Sequence, residues 1–148
     1  NTSISVNGDR VNLIGIVDPY SMRENGLVRN PDDDYTYPVD KAIEKAGIYE
    51  LDTDYYTILL SHRPEYMEVY NEYPQDLVLS GHAHGGQVRI PFLINGLYSP
   101  NQGLIPKYAG GIYEEDTTMI VSRGLSFSAK VPRVFNPPEV VVIDVVPE

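Results

Sequence analysis

The stretch Tyr56-Thr57-Ile58-Leu59-Leu60-Ser61-His62-Arg63-Pro64-Glu65-Tyr66-Met67-Glu68-Val69-Tyr70, followed by Leu77-Val78-Leu79-Ser80-Gly81-His82-Ala83-His84-Gly85-Gly86-Gln87, decides the fold class of this chain. Tyr56 to Ser61 is a nearly continuous apolar run, the pattern of a strand covered on both faces. Pro64 suits the first turn of a helix, and Glu65 to Tyr70 make a short one. Leu77 to Ser80 read as a second buried strand. Strand, helix and strand within about thirty residues form a βαβ unit, with parallel strands and a right-handed crossover. His62 stands at the end of the first strand, and His82 and His84 stand just beyond the second. All three histidines of the chain therefore fall on one edge of one sheet.

Upstream, Ile4 and Val6 alternate with polar residues, Asn7-Gly8-Asp9 makes a turn, and Val11 to Ile16 follow, which predicts a β-hairpin. From Asp18 to Tyr37, prolines, asparagines and the run Asp32-Asp33-Asp34 interrupt any period, so a loop with at most short helical turns is expected. Val39, Ala42, Ile43 and Ala46 fall at helical spacing, with Pro38 before them and Gly47 at the C-terminal cap. Downstream, the stretch from Pro91 to Gly111 is rich in Pro, Gly and Asn and is expected to be a loop over the site. Ile112 to Glu115 and Thr118 to Ser122 predict a hairpin, and Val140 to Val145 predict a last strand, central to its sheet.

The chain has 148 residues, enough for one domain that buries roughly 68 to 70% of its unfolded surface. Its 42% hydrophobic and 22% charged residues are those of an ordinary globular protein. Eleven basic residues against 21 acidic ones give a formal charge of −10, which repels nucleic-acid phosphates and anionic membrane surfaces, so no nucleic-acid partner is expected. A phosphate ester would need bound cations to overcome that repulsion locally. The absence of cysteine leaves histidine and carboxylate as the strong metal ligands. No apolar run approaches the 18 or so residues that span a bilayer. The opening Asn1-Thr2-Ser3 is neither a signal peptide nor an initiator methionine, and the chain is expected to be a piece of a longer one.

Ligands of open α/β sheets bind at the carboxyl ends of the strands. Neighbouring strands lie roughly 4.8 Å apart, so two imidazoles on adjacent strand ends can share a metal about 2.1 Å from each nitrogen. If the backbone stays extended, His82 and His84 lie on one side and serve the same metal or adjacent ones. Gly81, Gly85 and Gly86 remove side chains where the backbone must turn tightly beside an ion. Taken singly, a histidine after a strand is more often a hydrogen-bonded structural residue than a ligand. The scattered-core explanation, however, requires all three to reach adjacent strand ends by coincidence.

Leu60-Ser61-His62-Arg63-Pro64 and Leu79-Ser80-Gly81-His82-Ala83-His84-Gly85-Gly86-Gln87 resemble the last two motifs of calcineurin-like metallophosphoesterases. Asn12 to Tyr20, Ser122-Arg123-Gly124-Leu125 and Pro132 to Val140 are similar to the bacterial branch described as membrane-associated or cell-envelope phosphoesterases. The resemblance implies that His62 and His82 bind one metal and His84 its neighbour. It also implies hydrolysis of a phosphate ester between two divalent ions, Mn, Fe or Zn, about 3.5 to 4 Å apart. The family's earlier motifs, Asp-x-His, Gly-Asp and Gly-Asn-His-Glu, which supply the bridging aspartate and other ligands, are absent; Gly8-Asp9 is a turn between strands. The expected fold is accordingly α/β: a mixed β-sheet with flanking helices, about half of a four-layer αββα sandwich. Residues 1–148 are read as a single domain, the C-terminal part of a catalytic domain. Alone, the chain is expected to bind fewer ions or none and to turn over little. A homodimer is one way for a second chain to restore the missing ligands. The substrates that the resemblance allows are phospholipid-like, nucleotide or cell-wall phosphate esters, with the parent at a membrane or cell envelope or else in the cytoplasm.

Other residues attract weaker expectations. Arg63, beside His62, is the arginine best placed to meet a substrate phosphate, ahead of Arg89, Arg123 and Arg133. Tyr20, Tyr98 and Tyr108 are candidates to line a cleft. Asp32-Asp33-Asp34 lacks the spaced pattern of a calcium loop, and Asp52 and Asp54 favour a turn over acid-base work. Two rival readings differ in class: a mononuclear zinc hydrolase using His62, His82 and His84 as an open three-histidine site, and a non-enzymatic structural or interaction domain stabilised by an ion at these histidines or by none.

Overall fold

The computed structural model describes residues 1–6, 8–18, 37–126 and 131–146. Thr2–Val6 (β1) and Asp9–Gly15 (β2) pair antiparallel as the predicted hairpin, with Gly8 at the turn. Tyr37–Lys45 forms helix α1. It stops at Gly47, whose φ of +80° is the left-handed conformation that glycine adopts without penalty. The Gly47 N–H donates back to the Glu44 carbonyl. Residues 19–36, which include Tyr20 and Asp32 to Asp34, lie outside the described residues.

Tyr56–Leu60 (β3), a 3₁₀ turn at Pro64–Tyr66 that runs into Met67–Tyr70 (α2), and Leu77–Ser80 (β4) make up the βαβ unit. β3 and β4 are parallel and hydrogen-bonded neighbours, in the register Leu60 to Leu79. Tyr98–Ser99 (β5) and Gly103–Leu104 (β6) form a two-residue ladder inside the stretch read as loop. Gly111–Glu114 (β7) and Thr118–Val121 (β8) form the predicted hairpin. The six-stranded sheet runs β1-β2-β3-β4-β8-β7, with β2, β3, β4 and β8 parallel and antiparallel strands at both edges. The fold is thus α/β with a mixed sheet, as the sequence predicts.

Alternation along the strands sends Ile14, Leu59, Val78, Met119 and Val121 to one face, where they are buried with Val39 and Ile43 of α1 and Met67 and Tyr70 of α2. The opposite face carries Leu60, Leu79, Ile120 and Ile112, aligned across four strands by the register. Leu60 is 42% exposed and Ile112 65% exposed. The expectation that β3 is covered on both faces is therefore corrected: among the described residues the helices cover one face only.

A second correction concerns Val140 to Val145, which form no strand. Val140 and Val142 are 74% and 82% exposed. Strand propensity records how well a side chain suits a pleated, half-buried surface and says nothing about whether a free edge lies alongside. Here Glu139 is tied back to the end of β8, and Val141 shares a pocket with Ile112 and Ile120, so the segment lies against the open face.

Candidate metal centre

The parallel strands end in register, and their hydrogen bonds continue past the strands toward the histidines. Ile16 N donates to Leu60 O, Ser61 N to Leu79 O, Gly81 N to His62 O and Ser122 N to Ser80 O, all between 2.9 and 3.2 Å. The carboxyl ends of β2, β3, β4 and β8 therefore carry Asp18, His62, His82 with His84, and Ser126 to one side of the sheet.

His62 is fixed from below by a buried tyrosine. Tyr70 Oη has one proton, which it donates to the Arg63 carbonyl at 2.6 Å, so the Ser61 hydroxyl at 2.6 Å is the donor to Tyr70. Burial pushes the phenol well above its ordinary pKa and keeps that proton in place. Both residues flanking His62 are held by one side chain of the crossover.

The turn after β4 departs from the extended path considered above. His82 and His84 adopt left-handed φ values of +63° and +50°, and Gly85 and Gly86 follow at +63° and +62°. Non-glycine residues seldom occupy this region, and such strain collects at functional sites. Gly86 has no alternative, because a Cβ there would lie 2.3 Å from the Gly96 Cα. Gly81, by contrast, has open space around its Cα and no left-handed φ, so the tight turn does not require it.

This arrangement brings His62 and His82 together: His82 Nδ1 lies 3.1 Å from His62 Nε2, with ring centroids 4.8 Å apart. Two nitrogens about 2.1 Å from one ion, at bond angles between octahedral and tetrahedral, stand about 3.0 to 3.4 Å apart, so this pair fits a shared cation. The other nitrogen of His82 faces Asn101 Oδ1 at 3.4 Å. A proton on that nitrogen would leave the Nδ1 lone pair pointing at His62. His84 is aimed elsewhere, with its Nδ1 3.4 Å from the Ser126 hydroxyl. Among the described residues no three of His, Cys, Asp and Glu converge as a complete metal site.

Burial lowers the pKa of all three imidazoles, aided by His82 at His62, by Arg63 at His82 and by Arg133 at His84. These shifts disfavour the charged imidazolium, and the neutral imidazole is the form that ligates metals.

Arg63 is 6% exposed and committed within the protein: its Nε donates to Asp18 Oδ2 at 2.9 Å and its Nη1 to Glu65 Oε1 at 3.3 Å. Arg89 bonds Asn95, Arg123 pairs with Glu139, and Arg133 donates to the carbonyls of Arg123, Gly124 and Ser126. Tyr108, a candidate cleft residue, is buried, stacked edge-on with Tyr113 and bonded to Glu115. Tyr98 is half-exposed in β5. Asp52 accepts the Asp54 N–H at 3.1 Å, the turn role expected of it.

Sequence reasoning missed Asp18, Asn101, Ser126 and Asn136. Asn101, at φ +65° between Pro100 and Gly103, and Asn136, before Pro137-Pro138, sit in turn sequences that carried a signal for shape and none for their partners.

Several curated relatives of this chain are named metallophosphoesterases. An uncharacterised metallophosphoesterase of Campylobacter jejuni is 39% identical over 97 residues, covering 64% of this chain and 24% of the relative. An uncharacterised metallophosphoesterase of Helicobacter pylori is 30% identical over 141 residues, covering 93% of this chain and 33% of the relative. The chain belongs to the calcineurin-like metallophosphoesterases. A third relative of this metallophosphoesterase chain is the UDP-2,3-diacylglucosamine pyrophosphatase LpxG of Chlamydia muridarum, 35% identical over 92 residues, 58% of this chain and 28% of the relative. The chain spans about a quarter to a third of the length of these relatives. No family model and no solved structure matches it. No helix among the described residues is long and apolar enough to cross a membrane.

Proposed function

We propose that this chain is the histidine-bearing, C-terminal part of a hydrolase that cleaves phosphate esters with two divalent metal ions. His62 and His82 would hold one ion and His84 the neighbouring one. The remaining ligands, including a bridging carboxylate, would come from sequence outside these 148 residues. When bound, the ions would supply Lewis-acid stabilisation of phosphoryl oxygens and a water of lowered pKa.

The observation that carries this reading is the 3.1 Å approach of His62 Nε2 to His82 Nδ1 at the ends of adjacent parallel strands. The division of labour follows from the contacts around it. Asn101 would set the His82 tautomer by accepting its Nε2 proton, in the manner of the outer partners that orient metal-bound imidazoles. Arg63, bound to Asp18 and Glu65, would fix the strand end that presents His62; in this assignment it does not meet substrate. The exposed part of the sheet face around Leu60 would be the surface on which the rest of a sandwich packs. A substrate that joins phosphate to acyl chains is consistent with the name of the Chlamydia relative.

Two measurements test the reading: metal per chain by plasma mass spectrometry after reconstitution with Mn, Fe or Zn, and hydrolysis of a generic phosphodiester. The full-length protein should hold two ions and lose both metal and turnover in His82→Ala, while the 148-residue chain should hold fewer and turn over little. A metal-free full-length protein, or one as active in His82→Ala as in wild type, would sink the proposal.

A further inference from the structure

His84 takes its position from a residue fifty-two places further along the chain. Asn136 is 2% exposed, and its Nδ2 donates to the His84 carbonyl at 2.7 Å and to the Gln87 carbonyl at 3.2 Å. These two carbonyls bracket the turn in which His84 and Gln87 adopt left-handed φ of +50° and +59°. The main chain braces the same turn: Arg89 N donates to Val134 O at 2.9 Å and Val134 N to Gln87 O at 3.1 Å. Gly85 completes the fit, since a Cβ there would lie 2.2 Å from Asn136 Oδ1. Each left-handed residue costs about 1 kcal/mol or more and persists only where the surroundings over-determine it. Here the surroundings are the main-chain bonds of Val134 and a buried amide with both N–H groups in use.

We propose that Asn136 is a positioning residue for the metal centre: it latches the His84 to Gln87 turn and thereby aims the His84 imidazole. This rests on His84 being a metal ligand, and it adds that the aim is set by the C-terminal segment, independently of β4. Residues outside the ligand shell that orient metal-bound histidines change affinity about 10- to 100-fold when removed.

The test uses the full-length protein, in which both ions are expected to bind, with Asn136→Ala, Asn136→Ser, which keeps one donor, and His84→Ala. The probes are Zn²⁺ titration by calorimetry and the NMR couplings that report φ at residue 84. The latch predicts that Asn136→Ala keeps the resonances of the sheet core and loses the left-handed φ at His84. It also predicts that Zn²⁺ affinity falls at least about tenfold, to the level of His84→Ala, with no further fall in the double variant and an intermediate value for Asn136→Ser. If His84→Ala weakens binding and Asn136→Ala does not, the latch is overturned and the ligand role of His84 stands. If His84→Ala leaves affinity unchanged, the ligand reading fails, and the latch is then judged on φ alone: retained left-handed φ in Asn136→Ala overturns it. Should Asn136→Ala fail to fold, the same comparison is made with Asn136→Ser, where unchanged φ and affinity overturn it.

Discussion

His62 Nε2 and His82 Nδ1 face each other across 3.1 Å at the ends of neighbouring parallel strands. Two neutral imidazoles in this arrangement either share one proton as N–H···N or direct two lone pairs at one cation. Titration with Zn²⁺ should show a site that needs both: His62→Ala and His82→Ala should each lower affinity by about 100-fold or more, beyond the usual loss for an outer-shell partner. Calorimetry checks this, and binding that survives in either variant contradicts it.

Tyr70 should be worth a measurable fraction of the stability. In Tyr70→Phe the Ser61 hydroxyl and the Arg63 carbonyl lose their buried partner. The cost is about 1 to 3 kcal/mol, or roughly 3 to 10 °C in Tm for a chain of this size. Ser61→Ala combined with Tyr70→Phe should cost less than the sum of the two, because they remove one shared bond. A Tm within about 1 °C of wild type in Tyr70→Phe would show that water replaces the tyrosine.

Gly86→Ala and Gly81→Ala should behave as opposites. The first places a Cβ against the Gly96 backbone at a left-handed φ, whereas the second meets nothing within 4 Å. Overpacking and the left-handed penalty together put Gly86→Ala at about 2 to 4 kcal/mol, while Gly81→Ala should fall within about 0.5 kcal/mol of wild type. Urea denaturation separates the two, and similar midpoints would contradict the geometry.

Acid should loosen the C-terminal segment through Glu139. The Arg123 guanidinium holds this carboxyl below its ordinary value of 4.5, and the Arg123 N–H adds a bond at 2.9 Å. A carboxylate with a lowered folded pKa contributes stability that is complete above the unfolded pKa and is lost as pH falls through the folded one. Thermal melts between pH 7 and pH 3 should therefore fall more steeply below about pH 4.5 for wild type than for Glu139→Gln. Parallel curves would show that the ion pair contributes nothing.

The fold was legible wherever local pattern and connectivity agree. The apolar runs Tyr56 to Ser61 and Leu77 to Ser80, separated by a short helical segment, permit little but a parallel crossover, and that crossover puts His62 and His82 on one edge. The site was legible only in its residue types. Its conformation was not: His82 and His84 leave the extended path for left-handed φ, which no sequence period signals. Val140 to Val145 have strand composition and form no strand, because composition cannot report whether a sheet edge is free.

The sequence by itself determined the α/β class, the parallel pair of histidine-ended strands and the family, because these depend on periodicity and on residues close together along the chain. Only the tertiary structure decided which sheet face the helices cover, that Arg63 is held by Asp18 and Glu65, and that Asn101 and Asn136 reach the histidine turn. Those contacts join residues as many as 52 positions apart. Their formation depends on the packing of the whole chain, which alone brings acceptors within reach of the buried Asn136 N–H groups.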